Sequence, residues 1–167
     1  MHIIRNRRIS RSRWRHVPEG ALAGQQGGRL GSAAITVSLA DWREHKGVLL
    51  GHDAPIGVRL GAGDDLADIS EDLESIDLVA LEFAGVTEGR GYSQARLLRE
   101  QLGYRGEIRA IGDVSRDRIA FMERCGFNAY ELGEDCDLQA ALEAFGEISQ
   151  VYQSGADGRE PIASLRT

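Results

Sequence analysis

The residues with the clearest chemical potential lie in a glycine-rich loop, residues 84–93, that follows the apolar run Leu78–Phe83. Its glycines let the backbone approach a ligand closely, and the helix predicted to begin near Gly91 directs free N–H groups to the same place. Guanidinium groups bind oxyanions through paired hydrogen bonds. The alternative is a loop whose shape depends only on its glycines, and in which Arg90 pairs with Glu82, Glu88 or Asp113. The first reading predicts an anion site at Gly89, Arg90, Gly91, Ser93 and Arg96.

Two acidic residues near the strand ends are the candidate acids or bases. Asp113 lies in a second polar loop, residues 112–117, and aspartate there can equally cap the following helix. Glu82 interrupts an apolar strand, so it is either buried beside an arginine or a functional acid. Loops that leave the carboxyl ends of parallel strands line one crevice. We therefore expect the catalytic candidates Asp113 and Glu82 to lie at the same edge of the sheet.

Gly91 is expected where the loop turns into the helix. A side chain at this position would crowd the backbone turn or a bound ligand. The substitution Gly91→Val is therefore expected to remove function and leave the fold largely intact.

Five apolar runs alternate with helical patterns, which predicts an α/β fold with a mostly parallel sheet. A chain of 167 residues is too short for an eight-stranded barrel, which needs about 250 residues, so an open sheet or a half-barrel fits. The apolar character of the third run indicates helices on both of its faces. The predicted strands are Ile35–Leu39, Ile56–Leu60, Leu78–Phe83, Glu107–Ile111 and Phe127–Glu131.

Helical spacing is clearest in two further segments. Leu66, Ile69, Leu73 and Ile76 predict one face of a helix that Asp64 or Asp65 caps. Asp137 is expected to cap a last helix, whose apolar face consists of Leu138, Ala141, Leu142, Phe145, Ile148 and Tyr152.

Composition divides the chain into three parts. Residues 1–34 form a basic, glycine-rich arm that could contain a small hairpin around Asn6, with Trp14 as a packing anchor. Residues 35–152 form a single α/β domain, and residues 153–167 are expected to be a flexible tail because they show no periodicity.

Net charge is −6, although the first 16 residues hold six arginines and no acid. Without those arginines the remaining charges give −12, so most of the surface should repel nucleic acid, which we do not expect as a partner. The alternative is a nucleic-acid contact through the arginine-rich arm, and such binding should weaken steeply with salt. No apolar run approaches the roughly 18 residues that span a bilayer. We expect a cytoplasmic protein without a membrane partner, and the sequence leaves a homo-oligomer open.

Cysteine and histidine offer little for redox or metal chemistry. Cys125 and Cys136 do not have metal-type spacing, and the four histidines all lie in the first third of the chain. We predict no metal site, the sequence identifies no cofactor, and a flavin stays open.

Four segments together resemble a bacterial family of unknown function. Members of this family are commonly encoded beside assimilatory sulfite reductase and are often labelled as oxidoreductases involved in sulfite reduction. The resemblance spans about residues 35–152, with mild departures at Ala84–Gly85 (usually Pro-Lys), Glu88 (usually Asp) and Arg118 (usually Gln). The segments that carry it are Leu78–Phe83, Glu88–Glu100, Gly103–Val114 and Arg124–Leu132.

The resemblance implies a role in sulfur assimilation but assigns no catalytic residue. A four-iron cluster takes four thiolates, and this chain has two cysteines. We therefore expect an accessory protein that assists a separate sulfite reductase subunit. The alternative is an oxidoreductase, or an enzyme or sensor for a small oxyanion, that uses the loops 84–93 and 112–117.

Overall fold

The computed structural model describes residues 1–23, 30–85 and 89–147, so the predicted tail and residues 148–152 of the last helix lie outside the described residues. The strands are β1 (His2–Arg5), β2 (Arg8–Arg11), β3 (Arg15–His16), β4 (Ile35–Ser38), β5 (Ile56–Leu60), β6 (Leu78–Phe83), β7 (Glu107–Gly112) and β8 (Ala129–Tyr130). The α-helices are α1 (Leu39–Leu49), α2 (Arg90–Glu100), α3 (Arg116–Cys125) and α4 (Leu138–Glu147).

All eight strands belong to one sheet, in the order β2-β1-β8-β7-β6-β5-β4-β3. Strands β3 to β8 run parallel, whereas β1 pairs antiparallel with β8, and β2 antiparallel with β1. The predicted α/β class, with a mostly parallel sheet curled into a half-barrel, is confirmed.

The connection between the two edge strands shows how strongly the sheet curls. Strand β2 ends at Arg11 and β3 begins at Arg15, at the opposite edge of the sheet. Four residue steps reach at most about 14 Å, whereas eight flat strands would be about 34 Å wide. The sheet must therefore bend round until its edges approach each other, and the link Ser12–Trp14 crosses between them.

The two faces of the curled sheet have different surroundings. Val79, Leu81 and Phe83 of β6 belong to one large core that also contains apolar residues of all four α-helices. The alternate residues of β6, Leu78 and Ala80, point to the other face of the sheet. They pack there in a small separate cluster with Ile111 and Trp14. The helices therefore cover only the outer, convex face. The expectation of helices on both faces of β6 is wrong, because a tryptophan from the N-terminal segment covers the concave face instead.

The hairpin β1–β2 turns through Asn6 and Arg7, whose φ angles of 48° and 57° fit a two-residue hairpin turn. Its register pairs Arg5 with Ala129 of β8, so the arm at residues 1–34 contributes three strands to the sheet. Trp14 packs as an anchor against Leu78, Ala80 and Ile111.

Two local predictions need correction. The segment predicted as one helix over residues 65–76 forms two short 3-10 helices, Leu66–Asp68 and Ser70–Ser75. Its apolar residues still point inward, and Asp65 accepts a hydrogen bond from Ala67 N at 3.1 Å. Strand β8 has two residues rather than the five predicted, because it pairs with β7 only at Ala129 and Tyr130. Asp137 caps α4 as expected, through Gln139 N at 2.8 Å.

Gly91 lies in the first turn of α2 and is closely packed against β6. A Cβ atom at this position would lie 2.7 Å from Cζ of Phe83, a ring that is only 1% exposed. Its φ angle is not in the left-handed region. The requirement for glycine therefore comes from the core rather than from a ligand.

We predict that Gly91→Ala destabilises the protein by about 1–3 kcal/mol, because the added methyl overpacks the core at Phe83. Gly89→Ala is the matched control, since a Cβ atom there meets nothing within 4 Å. Urea unfolding of both variants measures the difference. Equal stability of the two variants would contradict the prediction and show that the Phe83 ring can move away from the added methyl group without an energetic cost.

Candidate functional site

A pocket of about 100 Å³ opens on the concave face of the sheet. Trp14, Leu78, Ala80 and Ile111 give it an apolar part. Polar and charged side chains come from strands on either side of that cluster, because alternate residues of each strand point to the same face. The pocket therefore combines an apolar floor with several polar groups, and the polar lining consists of Ser12, His16, Thr36, Arg59, Arg109 and Glu131.

Arg109 on β7 is buried and fully engaged in an ion network. Its Nε and Nη2 atoms donate to Oε1 of Glu107 at 2.8 and 2.6 Å. Its Nη1 atom donates to Ser12 Oγ at 3.0 Å and lies 3.6 Å from Oε2 of Glu131. The second oxygen of Glu107 accepts Arg5 Nε at 3.0 Å. The charges of Arg109 and Glu107 are therefore neutralised within the protein.

Arg59 on β5 contrasts with Arg109. The register aligns Arg59 with Ala80, and Ala80 with Arg109, so the two arginines flank one alanine on the concave face. Arg59 is half-buried, yet it makes no hydrogen bond or ion pair with any residue that the structure describes. Its guanidinium group retains its donors for a ligand.

His16 and Thr36 add neutral polar groups beside Arg59. The two residues are register partners on β3 and β4, and His16 Nδ1 lies 3.4 Å from Thr36 Oγ1. Burial, and then the positive charge of Arg59, lower the pKa of His16 below its ordinary 6.5; a hydrogen bond with Thr36 and the carboxylates of Glu131 and Glu82 act in the other direction. The imidazole is therefore neutral at pH 7, and it supplies one donor and one acceptor.

The residues that the sequence predicted as an anion site have different surroundings in the structure. Gly91 is buried beneath Phe83, and Ser93 is exposed in the first turns of α2. Arg90 donates from Nη1 to Ala62 O at 3.2 Å. Arg96 pairs with Glu100 one turn along the helix, at 3.3 Å. Gly89 is exposed at the N-cap, and residues 86–88 of the loop lie outside the described part of the chain.

The two acidic candidates do lie near neighbouring strand ends. Phe83 of β6 is the register partner of Gly112 of β7, and Asp113 N donates to Phe83 O at 2.8 Å. The Asp113 carboxylate pairs with Arg118 Nη2 at 3.3 Å, while Ser115 holds the N-cap position of α3. Glu82 is exposed and has no hydrogen bond or ion pair among the described residues, which removes the buried-pair alternative.

Sequence reasoning missed Arg59, Arg109 and Glu131 as pocket residues. A signal was present, because Arg59 interrupts an otherwise apolar strand, as Glu82 does, and β7 carries both Glu107 and Arg109 among apolar residues. Three neighbouring strands that each carry inward charges, two of them on β7, indicate a polar face rather than a helix-covered one.

Groups suited to metal or thiol chemistry are not assembled in the described ranges. No cluster of three or more His, Cys, Asp or Glu side chains there has metal-binding geometry. Cys125 is buried, Cys136 is partly exposed, and neither forms a disulfide. None of the helices in those ranges has the length and apolarity needed to cross a bilayer.

The sequence from residue 57 to residue 163 matches the family model DUF934, described as a bacterial protein of unknown function. The chain belongs to this family. No curated protein matches the chain significantly. The match begins at the second residue of β5 and extends past α4, so it contains Arg59, Arg109 and Glu131. Trp14, His16 and Thr36 precede it.

We predict that Glu107→Gln destabilises the protein by about 3 kcal/mol, because it leaves the buried Arg109 guanidinium without its principal counter-charge. Glu100→Gln is the control. It removes the same charge from the exposed pair with Arg96 and should cost at most about 0.5 kcal/mol. Chemical denaturation compares the two variants. Similar losses would mean that water reaches Arg109 freely.

Proposed function

We propose that this protein is an accessory protein of assimilatory sulfite reduction that binds a small oxyanion in the concave pocket. The observation that carries the binding proposal is Arg59, a half-buried pocket arginine without a protein counter-ion. Thr36 and the neutral His16 lie on the strands beside it and offer further hydrogen bonds. Arginine favours planar or tetrahedral oxyanions because its N–H groups form a rigid fork.

The neighbouring carboxylates do not prevent anion binding. Glu107 is shared by Arg5 and Arg109, and Glu131 lies 3.6 Å from Arg109. Glu82 is exposed to solvent, where its charge is screened. Among the described residues of this face, these pairs leave the positive charge of Arg59 and the exposed carboxylate of Glu82 without a partner.

The link to sulfite reduction rests on the sequence resemblance and on composition. The family described above has no assigned function. Only the sequence resemblance connects the chain with genes that lie beside sulfite reductase. Two cysteines cannot ligate a four-iron cluster. This limit favours assistance to a separate reductase over reduction by this chain alone.

We predict that Arg59→Gln weakens sulfate or sulfite binding at least about tenfold, since a charged hydrogen bond contributes about 1.5–3 kcal/mol. Isothermal titration of the purified protein with each anion measures the effect. The control Arg90→Gln removes an exposed arginine of the strand-end loop and should bind as the wild type does. If Arg90→Gln loses binding and Arg59→Gln does not, the anion lies at loops 84–93 and 112–117 instead.

We further predict that the affinity-tagged protein recovers the sulfite reductase subunit from its own bacterium grown on sulfate. A deletion strain should grow poorly on sulfate and normally on cysteine, because cysteine enters metabolism after the reduction step. An unrelated tagged protein of similar charge controls for non-specific capture. Absence of association, together with normal growth of the deletion strain on sulfate, would reject the accessory role.

A further inference from the structure

Among the six arginines of residues 1–16, three have no carboxylate or carbonyl partner in the described part of the chain. Arg5 pairs with Glu107 at 3.0 Å, Arg7 with Glu123 at 2.7 Å, and Arg15 Nη2 donates to Leu30 O at 2.8 Å. Arg8, Arg11 and Arg13 remain, and they make no hydrogen bond or ion pair with the described residues. All three are exposed, and they lie along or just beyond the edge strand β2.

The backbone of β2 also has unpaired groups. The hairpin register pairs Ile9 with Ile4 and Arg11 with His2, and Ser12 N donates to Met1 O at 3.0 Å. Because hydrogen-bonded and non-hydrogen-bonded pairs alternate in an antiparallel ladder, the N–H and C=O groups of Ile9 and Arg11 point away from β1. No described strand lies on that side of β2, and Ile9 is 40% exposed.

We propose that β2 is a docking edge for an extended acidic segment of a partner protein, which adds to the sheet as a further strand. Main-chain hydrogen bonds to Ile9 and Arg11 would hold the segment, as in other cases of strand addition. Carboxylates of the segment would pair with Arg8 and Arg11, whose side chains lie on opposite faces of the strand. This site is separate from the oxyanion pocket and goes beyond the proposed function.

Charge favours an acidic protein segment over other occupants. Two copies of this edge would bring Arg8 and Arg11 of one copy against those of the other, and like charges on paired strands are destabilising. Single-stranded nucleic acid gains affinity when its bases stack on aromatic rings beside the basic groups. Trp14 packs against the sheet on one side, and the Arg13 guanidinium lies 5.7 Å from its ring centroid. The acidic remainder of the chain would also repel a long polyanion.

The test uses a peptide of about six residues, the length of one strand. Its two glutamates are three positions apart among valine and threonine, so that one carboxylate lies on each face of the added strand. The peptide should bind the full-length protein, and binding should weaken with added salt. The charge reversal Arg8→Glu with Arg11→Glu should weaken it by about tenfold or more. Arg105→Glu, an exposed charge reversal outside this edge, should have little effect.

A backbone variant separates strand addition from simple charge attraction. Ile9→Pro removes an outward N–H group and leaves the hairpin pairing intact, because proline is tolerated on the solvent side of an edge strand. It should weaken peptide binding, while thermal melting stays cooperative. Hydrogen exchange at the amides of Ile9 and Arg11 should slow when the peptide binds.

Three outcomes would overturn the proposal. The first is peptide binding that neither the charge reversal nor Ile9→Pro changes. The second is equal binding of the same peptide with glutamine in place of glutamate. The third is tighter binding of a single-stranded DNA oligomer without protection of the Ile9 and Arg11 amides, which would make the edge a polyanion site. The variant with both Arg8→Glu and Arg11→Glu should still bind sulfate. Failure of the docking proposal can therefore be distinguished from failure of the oxyanion-binding proposal.

Discussion

The three-residue link Ser12–Trp14 is the constraint on which the rest of the structure depends. It joins opposite edges of an eight-stranded sheet, and a flat sheet would separate those edges by more than twice the length of the link. Curling resolves the conflict and gives the sheet an outer face that helices cover and an inner face that they do not. Trp14, carried by the link itself, fills part of that inner face.

The inner face explains why the buried charges are arranged as they are. A half-buried polar face requires partners for its charges, and Glu107, Arg109 and Arg5 supply them across β7 and β1. Buried ion pairs are weak evidence for net stability. Their clearer consequence here is geometric, since the network fixes the hairpin against β7 and β8. Arg59 stands outside the network, and that difference separates a structural arginine from one available to a ligand.

The sequence predicts much of the fold because its strongest signals are local. Parallel strands alternating with helices follow from apolar runs and caps such as Asp137. The 3-10 form of residues 66–75 could not be predicted from the sequence, since the same inward residues fit either helix type. The pocket could not be predicted from the sequence either, because its lining side chains, such as His16 and Arg59, come from strands far apart in sequence. Only the topology shows that those strands share a face.

Residues 1–16 contribute to both surfaces proposed here. Strand β2 has an edge with which no described strand pairs, and within three residues the chain reaches Trp14 in the pocket. Coupling between two sites can be carried by a contiguous packed element, and residues 8–16 run without a break from the edge strand to the pocket. A strand that docks on β2 would restrain the link Ser12–Trp14 directly, with no other secondary structure between them. The proposed docking edge and the proposed ligand pocket are therefore neighbours on one short stretch of chain.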